Sequence, residues 1–184
     1  MVKRIFDIIC SLLLLLFLGW VILFCIILAS IDTHSFGLFK QQRISQYAKP
    51  FMIFKIKTIN DANKTISRFG HFLRKSKLDE LPQLLNILSG TMTFVGPRPD
   101  VAGYYDLLEG HKRKILDLKP GLTNMASLKY FDEEALLQQR ENPQEYNDIV
   151  IFPDKVKLNL QYYYNQSLLG DLKIIYKTLM RYIR

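Results

Sequence analysis

From Ile8 to Ile31 the chain runs 24 residues without one charged side chain. As a helix this run would reach roughly 36 Å, enough for a hydrocarbon core of about 30 Å. It is apolar on every face, unlike the one-sided stripe of a helix on a soluble domain. A cleaved signal peptide fits less well. Lys3 and Arg4 resemble its basic start, but the run is too long and Ala29-Ser30 supplies no cleavage pattern. Basic residues lie on both flanks: Lys3 and Arg4 before, Lys40, Arg43 and Lys49 after. The charge rule for loops therefore sets no orientation. Two courses are open, a crossing helix, which length favours, and a helix bent near Gly19 with both ends on one side.

Further along, Phe51 to Ile59 alternates apolar positions with Lys55 and Lys57, the pattern of a short strand with a basic face. A helix is expected over Ile66 to Arg74. In the segment that follows, Leu81, Leu84, Leu85 and Leu88 recur at helical spacing, and Gly90 is placed to end the helix. Pro82 belongs in its first turn, which puts Asp79 at or beside the N-cap. Thr93 to Pro99 reads as a strand and a stiff turn in which Pro97 and Pro99 restrict Arg98. Lys119-Pro120-Gly121 is a second turn, and Asp132 to Arg140 a helix with acids in its first turn. Tyr162, Tyr163 and Tyr164 read as packing or interface residues. In Leu168 to Arg184, Leu168, Leu172, Ile175, Leu179 and Ile183 share one helical face, with Tyr176 and Met180 beside it. Lys173, Lys177, Arg181 and Arg184 share another. Such a helix either lies on a membrane surface or packs on a core with its basic side in water.

Charge sharpens the picture. The 184 residues carry 25 basic and 17 acidic side chains, a net +8, yet 49% are hydrophobic. The first segment absorbs that apolar excess. The 153 residues after Ile31 hold 23 basic and 16 acidic groups, still +7. Disorder and collagen-like structure are excluded by composition. Both cysteines, Cys10 and Cys25, sit in the first segment, too far apart along a helix to bond. No disulfide framework or thiolate metal site is indicated, which suits a cytosol-facing domain. Asn63-Lys64-Thr65 and Asn165-Gln166-Ser167 match a glycosylation signal that arises often by chance. His34, His71 and His111 are isolated. The sequence has no P-loop, dinucleotide fingerprint or nucleophile elbow.

The Asp79-Glu80 pair has a bland reading, two acids complementing a helix dipole. Its company points elsewhere. Arg74, Lys75 and Lys77 precede it and Arg98 follows on its Gly-Pro-Arg-Pro turn. Cations round a helix start make a phosphate site. Carboxylates belong there only if a divalent metal or a covalent bond intervenes. Mg²⁺ takes one carboxylate plus substrate phosphates, and a second carboxylate can attack phosphorus.

These residues resemble the small monotopic phosphoglycosyl transferases of the bacterial sugar-transferase group. The resemblance begins at Lys3-Arg4-Ile5-Phe6-Asp7 and continues through Phe39-Lys40-Gln41-Gln42-Arg43 and Phe54-Lys55-Ile56-Lys57-Thr58. It is strongest over Leu78-Asp79-Glu80-Leu81-Pro82-Gln83-Leu84 and Phe94-Val95-Gly96-Pro97-Arg98-Pro99. Lys119-Pro120-Gly121-Leu122-Thr123 and Asp171-Leu172-Lys173-Ile174 follow in the same order.

The resemblance implies a mainly helical α/β fold. Residues 1–36 would form a re-entrant membrane helix hairpin. Residues 37–184 would form a cytosol-facing catalytic domain with short strands and interfacial amphipathic helices, on the bacterial inner membrane. It implies transfer of a sugar-1-phosphate from a UDP-sugar to undecaprenyl phosphate with release of UMP, a first membrane step of glycoconjugate synthesis. The course would be ping-pong, through a phosphosugar on Asp79, with Glu80 holding Mg²⁺. Lys55, Lys57, Arg74, Arg98 and Asp171 match positions that serve the phosphates, the nucleotide or the integrity of the site. Membrane lipids and downstream glycosyltransferases are the further partners, and no nucleic acid is expected.

The chain departs from the family pattern in places. Gly19-Trp20 stands where Ser-Pro usually bends the membrane helix. Gly90-Thr91-Met92-Thr93 replaces Gly-Asp-Met-Ser, and Asn124 to Tyr130 departs from Gly-Trp-Ala-Gln-Val-Asn-Gly. Lys57 replaces an arginine and Asn159 an aspartate. Two other function classes compete: a non-enzymatic membrane scaffold of a glycan pathway, and nucleic-acid binding, which the basic charge alone suggests.

Overall fold

A computed structural model describes residues 2–183, without the side chain of Ile183. Arg184 and the Ile183 side chain, both assigned above to faces of the last helix, lie outside the described residues. The protein is a mainly helical α/β chain with one long apolar helix and small sheets. It divides into two compact units, one running to Arg43 and resuming over Pro50–Thr93, the other holding Ile44–Lys49 and the chain from Phe94 onward.

The first unit is built on α1 (Val2–Thr33), long and apolar enough to cross a membrane. Its helical hydrogen bonding is uninterrupted at Gly19. Its buried positions are Asp7 and Ser11 near one end, and Ile22, Cys25, Ala29 and Thr33 toward the other. Between them the surface is bare: Leu16, Phe17 and Trp20 are each about two-thirds exposed or more (75%, 68% and 71%). Strands β1 (Leu38–Ile44) and β2 (Pro50–Ile56) pair in a two-stranded sheet. Helix α2 (Arg68–Ser76) starts at Ser67, whose hydroxyl accepts from the Gly70 amide, and α3 spans Gln83–Ser89. The core joins Cys25 and Ala29 of α1 to Ile56 of β2 and Leu73 of α2.

Two sequence expectations shift here. The helix expected at 66–74 runs two residues later. In α3 the leucine stripe is not the buried face: Leu84 and Ile87 are buried and Leu85 is exposed. The helix has only two turns, and its Asn86 turns inward to the sheet, which rotates Leu85 outward.

The second unit contains β4 (Gly121–Thr123), paired with β3 (Thr93–Val95), whose first residue belongs to the first unit. Short helices α4 (Met125–Lys129), α5 (Glu133–Gln138) and α6 (Pro143–Tyr146) lead into α7 (Phe152–Asn165) and α8 (Leu168–Ile183). The core is Tyr105, Ile115, Leu116 and Val156. Tyr162 is buried and its hydroxyl reaches Val95 O and Asp171 Oδ1, so this member of the tyrosine row is structural. Helix α8 packs through Asp171 and Ile174, with Thr178 bonded to Thr123. Of the stripe read from sequence, Leu172 and Leu179 are exposed and Leu168 and Ile175 half-buried, and Leu169, Tyr176 and Met180 nearby are exposed as well.

Candidate functional site

Asp79 and Glu80 lie on a single 3-10 turn, Leu78–Glu80, between α2 and α3. The turn exists because Lys77 adopts a left-handed conformation (φ 56°, ψ 17°), closing α2 and redirecting the chain. Pro82 follows at the N-cap position of α3. Asp79 thus stands four residues before the helix rather than at its N-cap, because the turn intervenes.

Both carboxylates are buried, with 8% and 7% of their surface exposed. Glu80 Oε1 accepts from Lys55 Nζ on β2 at 3.2 Å. Asp79 Oδ1 has no hydrogen-bond partner among the described residues. Burial pushes the Asp79 carboxyl above the usual carboxylate range, and the Glu80 charge adds to the rise. Lys55, Lys77 and Arg74 pull it back. A buried acid with an unmatched oxygen is costly to the fold, and such groups cluster where chemistry is done.

The two elements that meet here are tied by Asn86, buried on α3. Its Oδ1 accepts from the Phe54 amide at 3.1 Å and its Nδ2 donates to Met52 O at 2.8 Å. The side chain acts as a neighbouring strand would, and it fixes β2 on either side of Ile53. Lys55 follows Phe54 directly. Arg74 is oriented by Thr58, its Nε donating to Thr58 Oγ1 at 2.9 Å.

Of the sequence-derived candidates, the first unit brings together Lys55, Arg74, Asp79 and Glu80. Lys57 points to a different partner and forms an ion pair with Asp61. Arg98 and Asp171 belong to the second unit. Arg98 is exposed, and Asp171 is buried and accepts from Tyr162 at 2.6 Å. Thr58, Lys77 and Asn86 stand in the motifs read from sequence, but not for what they do here: orient Arg74, bend the chain and clamp β2. Their roles depend on backbone geometry, which no residue spacing announces. Among the described residues no three of His, Cys, Asp and Glu gather into a metal cluster.

Fold and site together define a protein with a membrane-length apolar helix and a buried carboxylate pair among cations. The chain belongs to the bacterial sugar transferase family, whose model matches residues 1–184. It is 30% identical to the uncharacterized sugar transferase EpsL of Bacillus subtilis, over 97% of this chain and 86% of that protein. It is 31% identical to the exopolysaccharide production protein PSS of Rhizobium leguminosarum, over 97% and 93%. The UDP-glucose:undecaprenyl-phosphate glucose-1-phosphate transferase of Escherichia coli is 30% identical over 98% of this chain, which spans only 40% of that enzyme.

Proposed function

We propose that the protein transfers a sugar-1-phosphate from a UDP-sugar to a polyprenyl phosphate, undecaprenyl phosphate by analogy with its relatives. The observation that carries this reading is the buried Asp79, one oxygen without a partner, beside the Lys55–Glu80 pair. In the first half-reaction an Asp79 oxygen attacks the sugar-linked phosphorus. The bond from that phosphorus to the bridging oxygen breaks, and UMP leaves with the electron pair. In the second, a phosphate oxygen of the lipid attacks the same phosphorus and the Asp79 carboxylate is released. This is nucleophilic catalysis in two displacements.

Lys55 and Arg74 are suited to the donor's phosphates, and Arg98, Lys57 and Asp171 are assigned to substrate or site integrity on the family pattern alone. The donor set fits Mg²⁺: hard carboxylate oxygens, too few for an all-protein cage, so that Glu80 would hold the ion together with substrate phosphates. When bound, Mg²⁺ supplies neutralisation of charge on the departing UMP.

A re-entrant course for α1 is supported by where its ends are tied. Arg4 bonds α3, and Ala29 packs against Ile56 of β2, both in one unit. Straight, α1 would hold Arg4 and Ala29 about 38 Å apart. Yet Asn86 of α3 bonds Met52, only about 13 Å along β2 from Ile56. The exposed stretch from Leu12 to Trp20 would be the lipid-buried apex. The bare apolar stripe of α8, with Lys173, Lys177 and Arg181 beside it, suits the same interface. Residues 1–36 would then be the membrane element, and residues 37–184 the catalytic domain on the cytosolic face of the inner membrane. The neighbours there would be membrane lipids and downstream glycosyltransferases.

The test is incubation of the purified protein with single UDP-sugars, Mg²⁺ and undecaprenyl phosphate. UMP release, a phosphosugar mass on Asp79 without lipid, and its discharge on lipid addition are expected. No turnover over a broad donor panel, with partner proteins still bound, would instead point to a scaffold. For topology, single cysteines at positions 2 and 36 in a Cys10→Ser, Cys25→Ser background should label from the same side of a sealed vesicle.

A further inference from the structure

Three polar side chains of the membrane-length helix are engaged by the segments that flank the Asp79-Glu80 turn. Arg4 Nη1 and Nη2 donate to Ile87 O at 2.6 Å and Leu88 O at 2.7 Å. Asp7, buried, accepts from Thr93 Oγ1 at 2.7 Å, just past α3. Asp32 accepts from the Ser67 hydroxyl at 2.6 Å, at the N-cap of α2. The outer ends of both helices beside the turn are therefore held by α1.

The Arg4 contact is the most specific. A two-turn helix is marginal on its own, and its last carbonyls lack partners within it. A guanidinium spans two adjacent carbonyls with a fixed fork, and its charge suits the C-terminal end of the helix. Gly90 leaves room for it: a Cβ there would lie 3.0 Å from Arg4 Nη2. An arginine kept merely to hold the helix at a membrane surface would need no such partners.

We infer that Arg4 is a positioning residue for Asp79: by capping the far end of α3 from the membrane helix it fixes the helix that follows directly on the turn carrying the carboxylate pair. The inference rests on the transferase reading for its functional consequence. It makes the anchor a working part of the site.

The experiment compares Arg4→Gln, Arg4→Lys and Lys3→Gln in the full-length, membrane-reconstituted protein. Lys3→Gln removes a like charge one residue away. Arg4→Gln should slow phosphosugar adduct formation in a single turnover by roughly tenfold or more, as small misplacements of a reacting group do. The donor KM should change by less than about twofold. Arg4→Lys should recover part of the rate, and Lys3→Gln should match wild type. Hydrogen exchange of the peptide covering residues 78–90 should quicken in Arg4→Gln only.

Unchanged adduct rate and exchange in Arg4→Gln would overturn the inference, as would an equal effect of Lys3→Gln. If the Arg4 variants do not fold, Gly90→Asn decides. Asparagine tolerates φ +87° but crowds the guanidinium. A slower adduct then supports the brace, and a wild-type rate overturns it. If wild type itself forms no adduct, the transferase reading fails, and the exchange comparison still decides whether Arg4 holds the turn.

Discussion

Lys55 Nζ sits 3.2 Å from Glu80 Oε1, joining a strand to a turn 25 residues later. That contact depends on Asn86, which locks the backbone beside Lys55 to the helix that follows Glu80. One charge thereby serves both acids, as Glu80's partner and as a brake on the raised pKa of Asp79.

Lys55→Met should therefore move the pH dependence as well as the rate. The nucleophile must be ionised, so the acid limb of kcat/KM follows the Asp79 carboxyl. Lys55 favours the ionised form, and its removal raises the Asp79 pKa further. The limb should shift to higher pH, with a plateau lower by roughly tenfold or more. A lower plateau with an unmoved limb would mean that another group titrates there.

Asp79→Asn should separate stability from function. For an acid whose folded pKa is raised, the folded state binds more protons than the unfolded state between the two values. Stability then falls as pH rises from the unfolded pKa through the folded one, and stays lower above it. Once ionised, Asp79 is a net cost to the fold, because burial and Glu80 oppose its charge. The neutral amide should keep or raise the melting temperature at pH 7, and that difference should shrink toward acid pH. Transfer should fall by roughly a thousandfold or more. A marked loss of melting temperature at pH 7 would show that the charge is structural.

Much of this site was legible in the sequence, and for physical reasons. Asp79, Glu80 and Arg74 stand out by type and company, whereas Lys55 entered through the family resemblance, its strand reading otherwise as an ordinary basic face. The long helix was legible because an uncharged run of that length leaves little choice. What stayed hidden depended on three dimensions. Nothing in one dimension says that Asn86 turns its amide to β2, or that Lys77 takes a left-handed bend and detaches Asp79 from the helix cap. The stripe in α8 was legible as a pattern, but whether it faced the core was not. The choice came from Asp171 and Ile174, which take the packed face and leave Leu169, Leu172 and Leu179 outside.

Asn86→Leu should show how much the amide clamp contributes. The substitution keeps size and helix propensity but leaves the Phe54 amide and Met52 carbonyl without this partner. Each lost buried bond costs on the order of 1–3 kcal/mol. The urea midpoint should fall by a corresponding amount with little change in slope. Asn86→Asp keeps the acceptor for Phe54 and loses the donor to Met52 only while ionised, so at low pH, where the carboxyl is protonated and can donate, its loss should be smaller than that of Asn86→Leu. Equal midpoints for wild type and Asn86→Leu would mean that the sheet holds without the clamp.

Gly121→Ala tests the second unit by packing alone. A Cβ at Gly121 would fall 2.1 Å from Gly96 N and 2.5 Å from Gly96 O. Both are backbone atoms of the residue that follows β3, so no side chain can swing aside. The neighbouring bonds fix the approach: Gly96 N donates to Thr123 O at 3.1 Å, and Gly121 N to Pro97 O at 2.8 Å. Asn124 Nδ2 adds a bond to Gly96 O at 2.9 Å. To admit a methyl group the strands must part, and all three bonds stretch together. The expected loss is about 3 kcal/mol or more, at the upper end for overpacking. The Gly-Pro-Arg-Pro turn hangs from the same strand, so Arg98 should lose its fixed backbone and transfer should fall with stability. Gly19→Ala is the contrast, because a Cβ there meets nothing within 4 Å. Thermal unfolding of both variants in one lipid system should leave Gly19→Ala at the wild-type midpoint and lower only Gly121→Ala.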